Sequence, residues 1–176
     1  MQNKKIFPHF IPIIISAIVI FLDQLSKYWV LNKLDLNTIG SIDISKIFDL
    51  TMVWNFGVSF GIFRANSEIG RWGLVIFTFA ISILFFIWLL KSQNRLSQLA
   101  LSLIIGGALG NLIDRVRYGA VVDFLDFSGL YFPWVFNIAD SAVVGGAILL
   151  GFKLFLNPED SAKTKQNLPN NNVESN

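Results

Sequence analysis

Trp72-Gly73-Leu74-Val75-Ile76-Phe77-Thr78-Phe79-Ala80-Ile81-Ser82-Ile83-Leu84-Phe85-Phe86-Ile87-Trp88-Leu89-Leu90 runs without one charged side chain. At about 1.5 Å per residue, a helix of this length covers close to the roughly 30 Å of a bilayer's hydrocarbon. The stretch predicts a transmembrane helix, and the rest of the chain has the same character. Of 176 residues, 53% are hydrophobic and only 15% charged, with mean hydropathy +0.58. A soluble domain carries about a quarter charged residues, so the composition is that of a membrane protein.

Three further apolar runs complete the pattern, giving helices at about 10–31, 72–90, 96–114 and 133–156. The fold class expected is an all-α integral membrane protein of four transmembrane helices with a small extracytoplasmic β-strand and loop subdomain. Residues 1–156 form a single membrane-embedded domain on this reading. The Asn- and Lys-rich stretch 157–176 is expected to be a disordered cytoplasmic tail. The apolar run after Lys4 and Lys5 has the look of a signal peptide, but no small-x-small cleavage site follows it. Asp23-Gln24-Leu25-Ser26-Lys27 stands there instead, so the run is read as an uncleaved first helix.

Both termini inside places Lys4, Lys5, Lys91, Arg95, Lys153, Lys163 and Lys165 in the cytoplasm, concentrated in the shorter segments. Trp29, Trp72 and Trp134 then mark the outer interface and Trp88 the inner one. The extracytoplasmic segment 32–71 is long for a connector. From Phe48 it alternates, with Phe48, Leu50, Met52, Trp54, Phe56, Val58 and Phe60 on one face and Val53 the exception. A period of two indicates a strand with one greasy face, read as a hairpin lying on the lipid surface. Ser102, Gly106 and Gly110 recur every four residues, as do Ser141-Gly145 and Ala142-Gly146, which predicts close packing of the third and fourth helices.

Composition also narrows the chemistry. The absence of cysteine excludes disulfides, thiolate metal sites and a Cys nucleophile. One histidine, His9, excludes a two-His zinc motif, and a net charge of +2 gives no basis for nucleic-acid binding. Carboxylates remain. Ionisable groups inside a membrane cost a few kcal/mol or more and are functional candidates by default. Asp23, Asp114 and Asp140 all fall in the outer third of the bilayer when counted along their helices. A proton or ion path would spread such groups through the full depth, and the chain has no internal repeat, so a transporter is disfavoured. Asp123 stands in an apolar stretch, Ala120 to Leu125, that should raise its pKa. Asp23 and Lys27 are spaced to pair on a helix. Two facing carboxylates sharing one proton can run aspartic protease chemistry. Spacing alone does not choose between Asp123–Asp140 and Asp114–Asp140.

The chain resembles the bacterial lipoprotein signal peptidases, also called signal peptidase II. The resemblance rests on five blocks in order: Asp23-Gln24-Leu25-Ser26-Lys27, Asn55 to Gly61, Gly106 to Arg115, Val121-Val122-Asp123-Phe124, and Phe136-Asn137-Ile138-Ala139-Asp140-Ser141. It implies an intramembrane aspartyl endopeptidase that cuts prolipoproteins just before a cysteine carrying diacylglycerol. Asp123 and Asp140 match the catalytic pair. Asn55, Gly57, Asn111, Arg115 and Asn137 match positions lining or supporting the site. Asp114, Asp23 and Lys27 match family positions read as structural, with Asp114 ordering the loop that carries Asp123. The resemblance implies no metal and no cofactor, membrane lipids and prolipoproteins as partners, and one chain sufficing. It also implies residence in the bacterial inner membrane, with the active site near the extracytoplasmic face. A structural subunit whose carboxylates only form ion pairs is the competing class, separated from an enzyme by loss of hydrolysis in an Asp123→Asn variant.

Overall fold

The computed structural model describes residues 10–57 and 68–156, with only the backbone at Leu154 and Leu156. The elements in order are α1 (Phe10–Asn32), α2 (Leu36–Ile39), β1 (Ser41–Asp43), β2 (Asp49–Asn55), α3 (Glu68–Lys91), α4 (Arg95–Tyr118), β3 (Val121–Asp126), a 3-10 turn (Ser128–Leu130), β4 (Val135–Phe136) and α5 (Ile138–Leu156). Among the described residues, α1, α3 and α4 are long and apolar enough to cross a membrane. The expected continuation of the greasy strand through Val58 and Phe60, the lysines at 4 and 5, and the tail from 157 lie outside the described residues.

Helix α4 is the axis of the bundle, packed against α1, α3 and α5. Small residues bring the backbones together; of the expected stripes, Ala142-Gly146 meets α4 through Gly146, while Ser102-Gly106-Gly110 turns to α1. A Cβ at Gly106 would sit 2.8 Å from Val19 Cβ, and one at Gly110 would meet Asp23 Oδ2 at 2.7 Å. The Ser102-Gly106-Gly110 row therefore seats α1, with Ser16 Oγ donating to the Ser102 carbonyl at 2.9 Å. The α4–α5 contact uses the neighbouring row. Gly107 faces the Ala139 carbonyl, and a Cβ on Gly146 would lie 2.6 Å from the Ala100 carbonyl oxygen. Gly145, in the expected stripe, faces open space.

Two helix starts also differ from expectation. α3 already includes Glu68, because a polar turn held by the Arg71–Glu68 pair precedes the apolar run. α5 begins at Ile138 and not near 133: Val135 and Phe136 instead extend the sheet by pairing with Asp126 and Leu125.

The sheet is four-stranded and antiparallel in the order β1-β2-β3-β4. β3 leaves α4 through Gly119, whose φ of 81° a side chain would strain. A bulge between Leu50 and Val53 resets the β2–β3 register, so Leu50 opposes Leu125 while Val53 opposes Asp123. The greasy face of β2 turns inward: Leu50 packs with Val30, Leu36, Val122 and Phe124, with Met52 and Trp54 against that cluster. It forms the subdomain's own core.

Gly107→Val should lower the unfolding midpoint in detergent by the equivalent of about 3 kcal/mol, while Gly145→Ala leaves it within error. Equal midpoints for the two variants would contradict the close α4–α5 approach.

Candidate active site

Lys27 anchors the sheet-bearing end of the bundle. It is 2% exposed, and its Nζ lies 2.8 Å from Asp23 Oδ2, 2.7 Å from Asp114 Oδ2 and 3.1 Å from Asn111 Oδ1. Both carboxylates are fully buried. A buried ammonium is tolerable only when such partners replace its water. The other oxygens are committed as well: Asp23 Oδ1 accepts from the Ala139 amide at 3.0 Å, and Asp114 Oδ1 accepts from Gln24 Nε2 at 2.9 Å. Asp114 Oδ2 also receives the Val122 amide at 3.1 Å. One cation thus ties α1 to α4, and its two acids tie that pair to α5 and β3. Arg115, adjacent in sequence, is not Asp114's close ion-pair partner; Lys27 is.

Asn111 passes the arrangement onward. Its Oδ1 accepts from Lys27 and from Asn137 Nδ2 at 3.0 Å, which fixes the amide so that Nδ2 donates to Asp140 Oδ1 at 2.7 Å. Asn137 is the N-cap of α5. Its Oδ1 accepts from the Asp140 amide at 2.8 Å, and Asp140 Oδ2 accepts the Asn137 amide at 3.3 Å. This reciprocal pair is a capping box, and it puts Asp140 in the helix's first turn, where the macrodipole favours a carboxylate.

Asn137 also reaches sideways, Nδ2 donating to Asp123 Oδ1 at 2.6 Å. Asp123 Oδ2 accepts from Asn55 Nδ2 at 2.9 Å. Asn55 is held by the Gly57 amide, which donates to its Oδ1 at 2.9 Å, in a turn needing the φ of 103° that Gly57 supplies. Asp123 is 1% exposed, and its pKa is raised to about 6. Burial is the larger cause and the negative Asp140 adds to it; the Asn55 and Asn137 hydrogen bonds and Lys27 oppose it.

A cavity of about 500 Å³ opens over this group, with Trp54, Phe56, Trp134 and Val135 on its apolar side and Asn55 and Asp123 on its polar side. The Arg115 guanidinium acts electrostatically on Asp140, Asp123 and Asp114. Its Nη1 donates to the Asn111 carbonyl at 3.4 Å, and its buried Nε has no hydrogen-bond partner among the described residues.

All ten residues singled out from sequence lie at this end of the molecule. Asn55, Asn111, Asp123, Asn137 and Asp140 form one hydrogen-bonded group, and Asp23, Lys27 and Asp114 form the ion cluster joined to it through Asn111. Sequence reasoning assigned nothing to Gln24, whose Nε2 also reaches the Gly110 carbonyl at 3.2 Å and Asp23 Oδ2 at 3.2 Å. Its place between Asp23 and Lys27 on an otherwise apolar helix was the available signal. The capping box was legible too, as Asn137-x-x-Asp140 ahead of an apolar run.

The family model described as Signal peptidase (SPase) II matches residues 15–156. The Lipoprotein signal peptidase of Caulobacter vibrioides is 48% identical over 147 residues, covering 83% of this chain and 87% of that one. The protein of the same name from Nitrobacter hamburgensis is 42% identical over 149 residues, covering 82% and 91%. Two solved structures, each titled as a bacterial membrane enzyme, superpose with TM-scores of 0.73 and 0.70. They are 34% and 32% identical, and cover 88% and 91% of this chain and 97% and 96% of theirs, respectively.

Hydrogen bonding to an ionised carboxylate lowers its pKa, so removing a donor raises it. Asn55→Ala should therefore move the Asp123 titration upward from about 6, leaving less of it ionised at neutral pH. Infrared titration of the carboxyl band, with Asp123→Asn subtracted, reads the midpoint. A downward or absent shift would contradict the Asn55 contact.

Proposed function

The chain belongs to the signal peptidase II family, and from that premise we propose that it is an intramembrane aspartyl endopeptidase. On this reading it removes signal peptides from diacylglyceryl-modified bacterial prolipoproteins, cutting N-terminal to the lipidated cysteine. Asp123 and Asp140 are the catalytic pair. The observation that carries the assignment is Asn137, whose side chain donates to Asp123 and whose backbone amide donates to Asp140, at 2.6 and 3.3 Å. Asp114 is the poorer candidate, because Lys27, Gln24 and the Val122 amide already occupy its oxygens.

The chemistry needs water and no cofactor. The ionised member of the pair takes a proton from water as its oxygen attacks the scissile carbonyl, and the protonated member donates to the carbonyl oxygen. Collapse of the tetrahedral intermediate passes a proton to the leaving amine. A carboxyl with a pKa near 6 is suited to the exchange, since it gains and loses a proton close to neutral pH. The Trp- and Phe-lined side of the cavity suits a lipid-bearing segment, with Asn55 and Gly57 at its rim. Arg115 supplies positive charge beside the pair.

Residues 1–156 act as one domain with four spans, and α5 is the fourth. Its support is antiparallel packing along α4, from Ala139 beside Gly107 to Gly146 beside Ala100, which carries it through the same depth. Both termini are cytoplasmic, and the pair lies near the extracytoplasmic face of the bacterial inner membrane, where a substrate's cleavage site emerges. One chain and the surrounding lipids suffice.

The test is cleavage of a lipid-modified prolipoprotein by purified protein in detergent. Asp123→Asn and Asp140→Asn should lose activity by about 10²-fold or more while staying folded, and Asp114→Asn should retain part of it. Near-normal turnover by Asp123→Asn with none by Asp114→Asn would move the pair to α4. No cleavage by wild type would overturn the function.

A further inference from the structure

Arg71 lies in the first turn of α3, and its guanidinium crosses to the last turn of α4. Nε donates to the Arg115 carbonyl at 2.9 Å and Nη2 to the Val116 carbonyl at 2.6 Å. Nη1 meets Glu68 Oε1 at 3.4 Å, and the cation sits 5.3 Å from the Trp72 ring centroid. A helix end leaves its last carbonyls without intrahelical donors and carries about half a negative charge. The guanidinium fork answers both needs at once.

The place it answers them matters. The next residues are Gly119, whose amide also donates to the Arg115 carbonyl at 3.1 Å, and then β3 with Val122 and Asp123. A Cβ on Gly119 would meet the Arg71 side chain at 3.7–3.9 Å, so Arg71 packs over the turn itself. Asp114 holds the corner from inside through the Val122 amide. Arg71 holds it from outside. α3 has other anchors along its length, for Val75, Ser82 and Leu89 are buried. The Arg71 bonds therefore add little to joining the two helices and much to fixing where α4 ends.

We propose that Arg71 is a positioning residue for the reaction assigned above. By clamping the Arg115 and Val116 carbonyls it fixes the α4–β3 corner, and with it the bearing of the Arg115 side chain and the placement of Asp123. The proposal rests on the reading of Asp123 as catalytic. Lysine is a poor substitute, because one tetrahedral ammonium does not reproduce a planar fork that spans two carbonyls.

The test pairs kinetics with hydrogen exchange in Arg71→Gln, Arg71→Lys and Arg71→Ala. Arg71→Gln should lower kcat for the lipid-modified prolipoprotein by about tenfold or more, with KM within about twofold, since small misplacements act on the chemical step. Arg71→Lys should fall between it and wild type. Millimolar guanidinium should restore part of the Arg71→Ala turnover without affecting wild type. Amides of residues 119–123 should exchange faster in Arg71→Gln, with α3 and α5 unchanged. An unchanged kcat, a rise in KM alone, or loss of protection throughout the bundle would overturn the proposal. Should wild type fail to cleave, the assigned reaction falls, while unchanged protection at 119–123 in Arg71→Gln would separately overturn the clamp.

Discussion

The ammonium of Lys27 is the constraint from which the rest of this structure follows. Removed from water at the sheet-bearing end of the bundle, it draws Asp23 and Asp114 to within 2.8 Å and takes the Asn111 side-chain oxygen as a third partner. A buried ion cluster adds little net stability, because desolvation offsets most of the attraction. What it does here is set geometry. Asp23 gives its second oxygen to the Ala139 amide of α5, and the Asp114 oxygen that meets the ammonium also takes the Val122 amide of β3. The relative placement of α1, α4, α5 and β3 is thereby referred to one point. The glycine contacts at 106, 107 and 110 bring the helices near enough for those bonds to reach.

The helices were legible because long charge-free runs have few other fates, and their ends were not. The first turn of α3 is polar, with Glu68 and Arg71, so hydropathy alone starts the helix late. Before α5 the error runs the other way: Val135 and Phe136 are apolar enough to read as helix but belong to a strand. β3 escaped notice for a physical reason. Val121, Val122, Asp123 and Phe124 are buried alike, so no period of two marks them as strand. β2 has one face in the core and did show its period. The site residues were legible as types and blocks; their partners were not. Nothing local says that Gln24 reaches Asp114 or that Arg71 caps α4, because those bonds join residues 90 and 44 or more positions apart.

The end of the bundle holds four carboxylates within one connected network, and the fold sorts them by donor. Asp23 and Asp114 each touch the ammonium directly. Direct contact with an ammonium fixes where both acids stand, which suits a structural joint. Asp123 and Asp140 receive amides instead, from Asn55, Asn137 and Asn111. The lysine's charge reaches Asp140 through Asn111, one neutral side chain away. Amide donors orient a carboxylate strongly while perturbing its proton affinity less than a contacting cation does, and burial with a like charge nearby leaves Asp123 near 6. The sorting follows from where single asparagines stand. Fold and proposed chemistry draw on the same network at different distances from its one buried ammonium.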